Sequence, residues 1–255
     1  MTANTMPKAV LLDLDDTILD DSSTVESCWK NACAAHRADI PGLDPDELYR
    51  AIRKQGEWFW SDPERHRIGR LDLDVARAEV VRLALAQLEV DDAGLAVKIA
   101  ATYSRSRQAT IQPSPDAIDT VRWLRERGCK LALLTNGAGD AQRWKIEMFG
   151  LANLFDCILV EGEVGFGKPD ERIYRRALRE LAVDPAEAWM VGDHLEFDVA
   201  APQQLGLFTV WIDVHGTGVP AGRNVRPDFI IRTLSELRSG KISALASGTH
   251  NPARG

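Results

Sequence analysis

Features that would place a protein in a specialised class are scarce in this chain of 255 residues. There are four cysteines and no CxxC pair, so the thiols are expected to be reduced and to pack in a core rather than to form disulfides or a zinc site. No apolar run approaches the length of about 18 residues that a membrane span needs. The N-terminus lacks the basic and apolar segments of a secretory leader, which predicts a cytoplasmic protein.

An excess of positive charge is also missing. Lys and Arg number 31 against 38 Asp and Glu, which gives a formal net charge of −7. General nucleic-acid binding needs a basic face, so nucleic acid is not the expected partner. The same balance is compatible with an acidic pocket that binds a divalent metal, through which an anionic substrate could bind. The apolar fraction of 45% is ordinary for a globular protein, and the length permits one core with a smaller satellite domain.

The most informative stretch begins with the apolar residues 10–12 and ends in a cluster of acids, Asp13, Asp15 and Asp16, followed by Thr17. Such a pattern predicts a buried strand whose carboxyl end opens onto a site. Two like charges about 4 Å apart repel by about 4 kcal/mol at an effective dielectric near 20. A cation, a shared proton or open water is therefore expected beside them. A solvated acidic turn is the alternative, and Asp16 and Thr17 are interpreted as shaping the turn.

The segment 21–109 is predicted to be helical throughout, without a strand. Apolar residues recur at helical spacing after candidate N-caps, which gives four helices: one that Asp21 or Ser22 caps, one that Asp44 caps with Pro45 at its first position, and two over about 72–88 and 92–107. A block of this size can form a small bundle of its own.

From residue 112 onward, buried strands alternate with amphipathic helices. Strands are predicted near 130–134, 157–160, 189–191, 208–212 and 229–231, and the first helix of this region is predicted to start at Ser114-Pro115. This alternation is typical of an α/β fold with a Rossmann-like parallel sheet and helices on both faces. We therefore predict an α/β core from residues 1–20 and 110–240, with the helical block 21–109 inserted after its first strand. The tail 241–255 is predicted to be disordered.

Polar side chains follow three of the predicted strands, and a lysine lies in a glycine-rich loop. The groups are Asp13 with Asp15, Thr135 with Asn136, Asp193 with Asp198, and Lys168. Ligands of parallel α/β sheets bind beyond the carboxyl ends of the strands, so these residues can meet at one edge. Carboxylates suit a hard cation such as Mg²⁺. The hydroxyl, ammonium and loop amides suit a phosphoryl group, and an aspartate beside them can act as a nucleophile.

Each group taken alone has a structural alternative. Thr135-Asn136-Gly137 can be a simple turn, Lys168 can be a solvated surface lysine, and Asp193 can cap the next helix.

The segment 162–168 has the spacing of a P-loop, but Pro169 replaces the hydroxyl residue that would bind magnesium. Nucleoside triphosphate hydrolysis by that route is therefore not expected.

Taken together, four motifs resemble the haloacid dehalogenase-like (HAD) hydrolases. They are Asp13-Leu14-Asp15-Asp16-Thr17, Thr135-Asn136-Gly137, Gly167-Lys168-Pro169-Asp170, and Gly192-Asp193 with Asp198. The order of the motifs and their positions at strand ends or loops carry the resemblance, which covers the whole α/β core. The inserted helical block resembles the helical C1 cap of that family.

The resemblance implies roles for five residues of the first three motifs. Asp13 would attack phosphorus, and Asp15 would protonate the leaving oxygen and later activate water. Thr135 and the amide of Asn136 would hold the phosphoryl oxygens, while Lys168 would neutralise charge. Dehalogenases of the family lack a carboxylate two residues after the nucleophile, so Asp15 indicates phosphate chemistry.

The resemblance also implies a Mg²⁺ cofactor. The candidate metal-site carboxylates are Asp13, Asp15, Asp193 and Asp198, and the Leu14 carbonyl is a further candidate ligand. Either Asp198 binds the metal or it orients a residue that does.

Selection of the substrate is expected in the helical block, at a segment that combines aromatic and basic residues. The candidates are Arg65, His66, Arg67 and Arg70, which follow Trp58 and Trp60. Arg and Trp can recognise a carboxylate, a second phosphate, a base or a sugar ring. A tryptophan-rich bundle core with solvated arginines is an equal alternative.

The predicted function is Mg²⁺-dependent hydrolysis of the phosphate monoester of a small metabolite through an aspartyl-phosphate. A sugar phosphate (acylneuraminate 9-phosphate included), a nucleotide such as a pyrimidine monophosphate, and a phosphoglycolate-like acid are the candidate substrates. Two alternatives remain open: a phosphomutase of the same family, and a non-catalytic protein that binds Mg²⁺ and an anion for regulation.

Overall fold

A computed structural model describes residues 6–239 of the chain. The predicted disordered tail, 241–255, lies outside the described residues. The described residues form two compact units: one contains residues 6–20 and 113–239, and the other contains residues 21–112.

Eight strands and ten α-helices make up the two units. The strands are β1 (Ala9–Leu12), β2 (Leu19–Asp20), β3 (Gln112–Pro113), β4 (Lys130–Thr135), β5 (Cys157–Val160), β6 (Ala188–Gly192), β7 (Phe208–Ile212) and β8 (Phe229–Ile231). The helices are α1 (Val25–Ala35), α2 (Pro45–Ser61), α3 (Pro63–Gly69), α4 (Leu73–Gln87), α5 (Ala93–Thr110), α6 (Ala117–Glu126), α7 (Gly139–Met148), α8 (Glu161–Val164), α9 (Glu171–Leu181) and α10 (Ala201–Gln204). These counts hold for residues 6–239 and leave out the short 3₁₀ and π turns.

The first unit contains a six-stranded sheet in the order β5-β4-β1-β6-β7-β8, and every neighbouring pair in it is parallel. This confirms the predicted Rossmann-like α/β fold. Strand β1 lies in the middle, and the chain builds the sheet outward from it first through β4 and β5 and then through β6, β7 and β8. The strand order therefore reverses at β1, and such a reversal is where parallel α/β sheets bind ligands.

Burial explains why these segments form inner strands. All four residues of β1 are fully buried, and so are Leu131 to Leu134 of β4. One face of the sheet packs against α9 through Ile173, Tyr174 and Ala177. A strand that is covered on both faces reads as a continuous apolar run, which is why the sequence identified these strands well.

The second unit is a helical bundle with its own core. Apart from Ile40, the residues of this core come from helices α1, α2, α4 and α5. Asp44 caps α2 as predicted, and its side chain accepts a hydrogen bond from the Asp46 backbone N–H at 3.1 Å. The first helix differs, because Thr24 rather than Asp21 or Ser22 precedes its first residue, and Thr24 makes no side-chain cap.

Two further details differ from the predictions. The segment that follows Trp58 forms the end of α2 and all of α3, and α3 is a helix that the four predicted ones did not include. The helix expected from Ser114-Pro115 begins later, at Ala117, after Asp116 adopts a left-handed conformation with φ 57°. In both cases local turn geometry decided the boundary, and hydrophobic spacing does not report that geometry.

The part of the chain that the structure describes, residues 6–239, contains no helix with both the length and the apolar character of a membrane span.

Candidate active site

Three neighbouring strands end in the polar residues that the sequence singled out. Asp13 follows β1, Thr135 ends β4, and Asp193 follows β6. Strands β4 and β6 lie on either side of β1, so the three carboxyl ends share one edge of the sheet. The Asp13 backbone N–H donates to the Val191 carbonyl at 3.0 Å, which continues the β1–β6 ladder into the site. Residues far apart in sequence are therefore neighbours because the strands are parallel.

Lys168 is the central cation of this edge. Its Nζ donates to Oδ1 of Asp13 and to Oδ1 of Asp198, each at 2.7 Å. Only 2% of Lys168 is exposed. Burial by itself acts to lower the pKa of this lysine, but the Asp13 and Asp198 carboxylates outweigh it and hold the pKa above its usual value. Lys168 is therefore a permanent positive charge between two carboxylates, and not a solvated surface lysine.

Three carboxylates of the site form a group that can hold a metal ion. Oxygen atoms of Asp13, Asp193 and Asp198 lie within 4.8 Å of one another. Burial, partly offset by Lys168, raises the pKa of Asp13 to about 7. Burial together with the nearby Asp13 and Asp198 carboxylates raises the pKa of Asp193 to about 8. Against one lysine, three ionised carboxylates leave two negative charges, so the oxygen donors and their charge fit a hard divalent cation.

Asp198 differs from the other two acids in its contacts. Its side chain is fully buried, Oδ1 accepts from Lys168, and Oδ2 accepts from the His194 backbone N–H at 3.0 Å. Asp13 also has a protein donor on each oxygen, Lys168 and Thr17, but of the three acids Asp198 alone is fully buried, so it is suited to orienting Lys168. Asp193 and Asp13 are then the acids best placed to bind a metal directly.

Gly192, the last residue of β6, makes room for the Asp198 carboxylate. A Cβ at this position would overlap the Cγ and Oδ2 atoms of Asp198. We expect Gly192→Ala to destabilise the protein by about 1–3 kcal/mol, the usual cost of overpacking, and to lower turnover by moving Asp198. Urea denaturation and an activity assay measure the two effects.

Gly56→Ala is the matched control for that substitution. Gly56 lies inside α2, and the nearest atom to its added Cβ is 3.9 Å away. Alanine is the better helix former, so this variant should gain about 0.5–1 kcal/mol. Equal stability of the two variants would contradict the steric role of Gly192.

The loop after β4 and the loop that carries Lys168 are joined by hydrogen bonds. The Asn136 side chain donates through Nδ2 to the Lys168 carbonyl at 2.7 Å and accepts from the Lys168 backbone N–H at 2.8 Å. The Glu161 carboxylate accepts from the Gly137 backbone N–H at 3.0 Å. The Asn136 side chain thus fixes Lys168. The backbone N–H of Asn136 remains as the group that can donate to a phosphoryl oxygen.

Asp15 has partners that sequence reasoning missed. Its Oδ1 accepts from Nζ of Lys145 at 2.7 Å, and its Oδ2 accepts from Nε2 of Gln142 at 2.8 Å. The sequence suggested Asp15 as a metal ligand too, but it is not a member of the carboxylate group described above. Thr17 was predicted only to shape the turn, but its hydroxyl also donates to Oδ2 of Asp13 at 3.2 Å.

Comparison with known proteins shows the family of this chain. Residues 7–206 match the family described as haloacid dehalogenase-like hydrolase. The match includes all four motifs and both units of the chain. The chain belongs to this family.

Two curated relatives of this hydrolase match nearly its whole length. It is 33% identical over 240 residues to the glyceraldehyde 3-phosphate phosphatase of Methanopyrus kandleri, with 91% of this chain and 96% of the relative covered. It is 32% identical over 248 residues to the phosphoserine phosphatase of Thermus thermophilus, with 90% and 97% covered.

Among solved structures, this HAD-like hydrolase also resembles a dehalogenase. The 2-haloacid dehalogenase of Pseudomonas syringae is 27% identical, with a TM-score of 0.60 and with 92% of this chain and 98% of that chain covered. The shared fold alone therefore does not separate phosphate from halide chemistry, and the side chains at the site must do so.

The four predicted specificity residues lie in the helical unit and contact their own neighbours there. The Arg65 guanidinium stacks on Trp58 at 3.9 Å and donates to the Trp58 and Phe59 carbonyls. Arg67 forms a bidentate ion pair with Glu64. Nη1 of Arg70 lies 3.3 Å from Nδ1 of His66. These contacts agree with the structural alternative, and a role in substrate selection stays a prediction.

Proposed function

We propose that this hydrolase is a Mg²⁺-dependent phosphatase that cleaves the phosphate monoester of a small metabolite through an aspartyl-phosphate on Asp13. The observation that carries the proposal is the buried Lys168, which holds Asp13 at the centre of the sheet edge while Asp193 lies beside it. Asp15 completes the set that phosphate transfer needs: a nucleophile, an acid, a cation and a metal site.

In the first step, an Asp13 oxygen attacks phosphorus. The ester P–O bond breaks, and its electron pair leaves with the alcohol oxygen, which takes a proton from Asp15. Lys168 on Oδ1 and the Thr17 hydroxyl on Oδ2 hold the attacking carboxylate in one orientation. Orientation of this kind lowers the barrier because the entropy of alignment is lost on folding rather than during reaction.

In the second step, Asp15, now ionised, takes a proton from a water molecule that attacks the same phosphorus atom. The P–O bond to Asp13 breaks, inorganic phosphate leaves, and both aspartates return to their starting state. Thr135 and the backbone amide of Asn136 are placed at the end of β4 to donate to phosphoryl oxygens in both steps.

Asp13 and Asp193 would hold Mg²⁺, and Asp198 would keep Lys168 beside them. When bound, the ion supplies positive charge to the phosphoryl group. Burial is the main cause of the raised pKa values of Asp13 and Asp193, and repulsion by the neighbouring carboxylates adds to it. A bound cation would relieve that repulsion.

The names of the relatives support a substrate class. Glyceraldehyde 3-phosphate and phosphoserine are both small phosphate monoesters, and we propose that the substrate of this chain is of the same class. Asp15 separates this proposal from dehalogenation, since displacement of a halide needs no proton donor for the leaving group. The cap role of the helical unit stays a prediction from the family resemblance.

A panel of phosphate monoesters tests the proposed function. We expect the purified protein to release inorganic phosphate from at least one small ester when Mg²⁺ is present, and to lose this activity with a chelator and regain it with added Mg²⁺. Each incubation is also analysed for isomerised sugar phosphate and, with a 2-haloacid, for halide. An isomerised product would identify a mutase, halide release would identify a dehalogenase, and no turnover of any compound would contradict the proposal.

A further inference from the structure

The acid Asp15 is held by two side chains of a single helix. Lys145 and Gln142 of α7 donate to its two different oxygens at 2.7 and 2.8 Å. Lys145 is shielded, with 14% of its side chain exposed, and 3% of Gln142 is exposed. A flexible carboxylate on a turn thus receives a fixed direction from two shielded donors.

Helix α7 is placed to supply both donors. It begins at Gly139, directly after the Thr135-Asn136-Gly137 segment, so its first turns start at the phosphate-holding edge of the sheet. Positions 142 and 145 are three residues apart and therefore share one side of the helix. Nε2 of Gln142 also donates to the Thr135 hydroxyl, so one amide links the acid to the proposed phosphate clamp.

We propose that Lys145 and Gln142 are positioning residues that aim the Asp15 carboxyl group at the leaving oxygen of the substrate. The inference rests on the proposed phosphatase mechanism. Neither residue donates or accepts the transferred proton, which passes from Asp15 to the alcohol oxygen and returns to Asp15 from water. Their function is to hold the plane of the carboxyl group during both transfers.

The chemistry of a carboxyl group permits this arrangement. Each oxygen has two lone pairs, so each can accept from its α7 donor and still have one position directed elsewhere. The terminal torsion of an aspartate is broad, and without the donors the carboxyl plane would rotate. General acid catalysis requires the acid within hydrogen-bond reach of the leaving oxygen, and it is sensitive to that rotation.

Substrates whose leaving groups differ in their need for a proton can distinguish a positioning role of Lys145 from a general structural role. A p-nitrophenyl leaving group departs as a stable anion, whereas an alkyl leaving group needs a proton. We expect Lys145→Met to lower kcat/KM for an alkyl phosphate by about 10- to 100-fold and for p-nitrophenyl phosphate by about threefold or less. Hydrolysis of the aspartyl-phosphate is common to both substrates, so kcat should fall by a similar factor for both when that step limits turnover.

Three further variants sharpen the test. Lys145→Arg keeps a cation and should recover most of the alkyl phosphate activity. Gln142→Leu should show the same split and also a higher KM, because Gln142 contacts Thr135. Lys8→Met is the matched control, since Lys8 pairs with Glu187 on the surface of the same unit and should leave both substrates unaffected. Equal losses of kcat/KM for the aryl and alkyl esters in Lys145→Met would overturn the proposal.

Crystal structures of the wild type and of Lys145→Met give a result that does not depend on turnover. We expect the Asp15 carboxyl plane to rotate away from its wild-type orientation in the variant and to keep it in Lys145→Arg. An unchanged orientation in Lys145→Met would overturn the positioning role even if the protein proves to hydrolyse none of the esters. Absence of wild-type turnover with a rotated Asp15 would contradict the proposed function alone.

Discussion

We expect Asp13→Asn to abolish phosphate release while the protein stays folded. Asparagine has nearly the shape of aspartate but cannot form the proposed acyl phosphate, so we expect kcat to fall by roughly 10⁴-fold or more. The fold should tolerate the change, because Lys168 keeps its second partner, Asp198, at 2.7 Å. Burial already disfavours the ionised form of Asp13, whose pKa is raised to about 7, so a neutral side chain is acceptable at this position.

Phosphate release and thermal unfolding of the wild type and the variant are the measurements. Asp13→Ala serves as a second variant, since it cannot revert to aspartate by deamidation. Asp119→Asn is the control for loss of one carboxylate: Asp119 is an exposed residue of α6 that pairs with Arg122, and this variant should keep full activity. Turnover by a well-folded Asp13→Asn protein at the wild-type rate would exclude the aspartyl-phosphate mechanism.

We expect Lys168→Met to remove both turnover and a large part of the stability. The variant leaves the Asp13 and Asp198 carboxylates buried without their cation, and breaking a buried ion pair from one side costs about 3–5 kcal/mol. For a chain of this size, a loss of 3 kcal/mol corresponds to a fall in Tm of about 6–12 °C. Thermal unfolding should be measured at a pH well above the wild-type pKa of Asp13, which is about 7. The Asp13 carboxylate is ionised there in the wild type, so the loss of its cation has its full effect.

A second substitution identifies the cause of that instability. In Lys168→Met/Asp198→Asn, the buried charge on Asp198 is gone, so part of the lost stability should return while activity remains absent. Asparagine can still accept from the His194 backbone N–H through its side-chain oxygen. If Lys168→Met unfolds at the same temperature as the wild type, the buried ion pair does not stabilise the fold and the central role of Lys168 is wrong.

Much of the fold could be predicted from the sequence because the inner strands are covered on both faces. Of these inner strands, β7 matches the predicted range residue for residue, and β4 and β6 differ only at their ends. The edge strands β5 and β8 also match, because the short apolar run of each lies between charged residues. The starts of helices were predicted less accurately than the strands. Asp44 was recognisable because its side chain and Pro45 both favour a helix start, whereas α1 begins at Val25 without a side-chain cap, which leaves no local signal to read.

The residues of the candidate site also fall into two groups: those that the sequence could place together and those that it could not. Asp13, Thr135 and Asp193 could be placed together in advance, since polar residues at the ends of parallel strands meet at one edge. Lys145 and Gln142 could not, because 130 and 127 residues separate them from Asp15 and both read as ordinary residues of an amphipathic helix. The only signal was their spacing of three residues directly after the phosphate-holding segment.

The sequence by itself determined the α/β class, the inserted helical block and the chemical types gathered at the strand ends. These properties depend on local periodicity and on the rule that parallel strands point the same way. Only the tertiary structure decided how the charges are shared: Lys168 lies between Asp13 and Asp198, and Lys145 holds Asp15. Contacts between side chains distant in sequence depend on burial and distance, and neither quantity is encoded in any local stretch. The opening cluster of acids is therefore divided between a lysine from a distant loop and a lysine from a neighbouring helix.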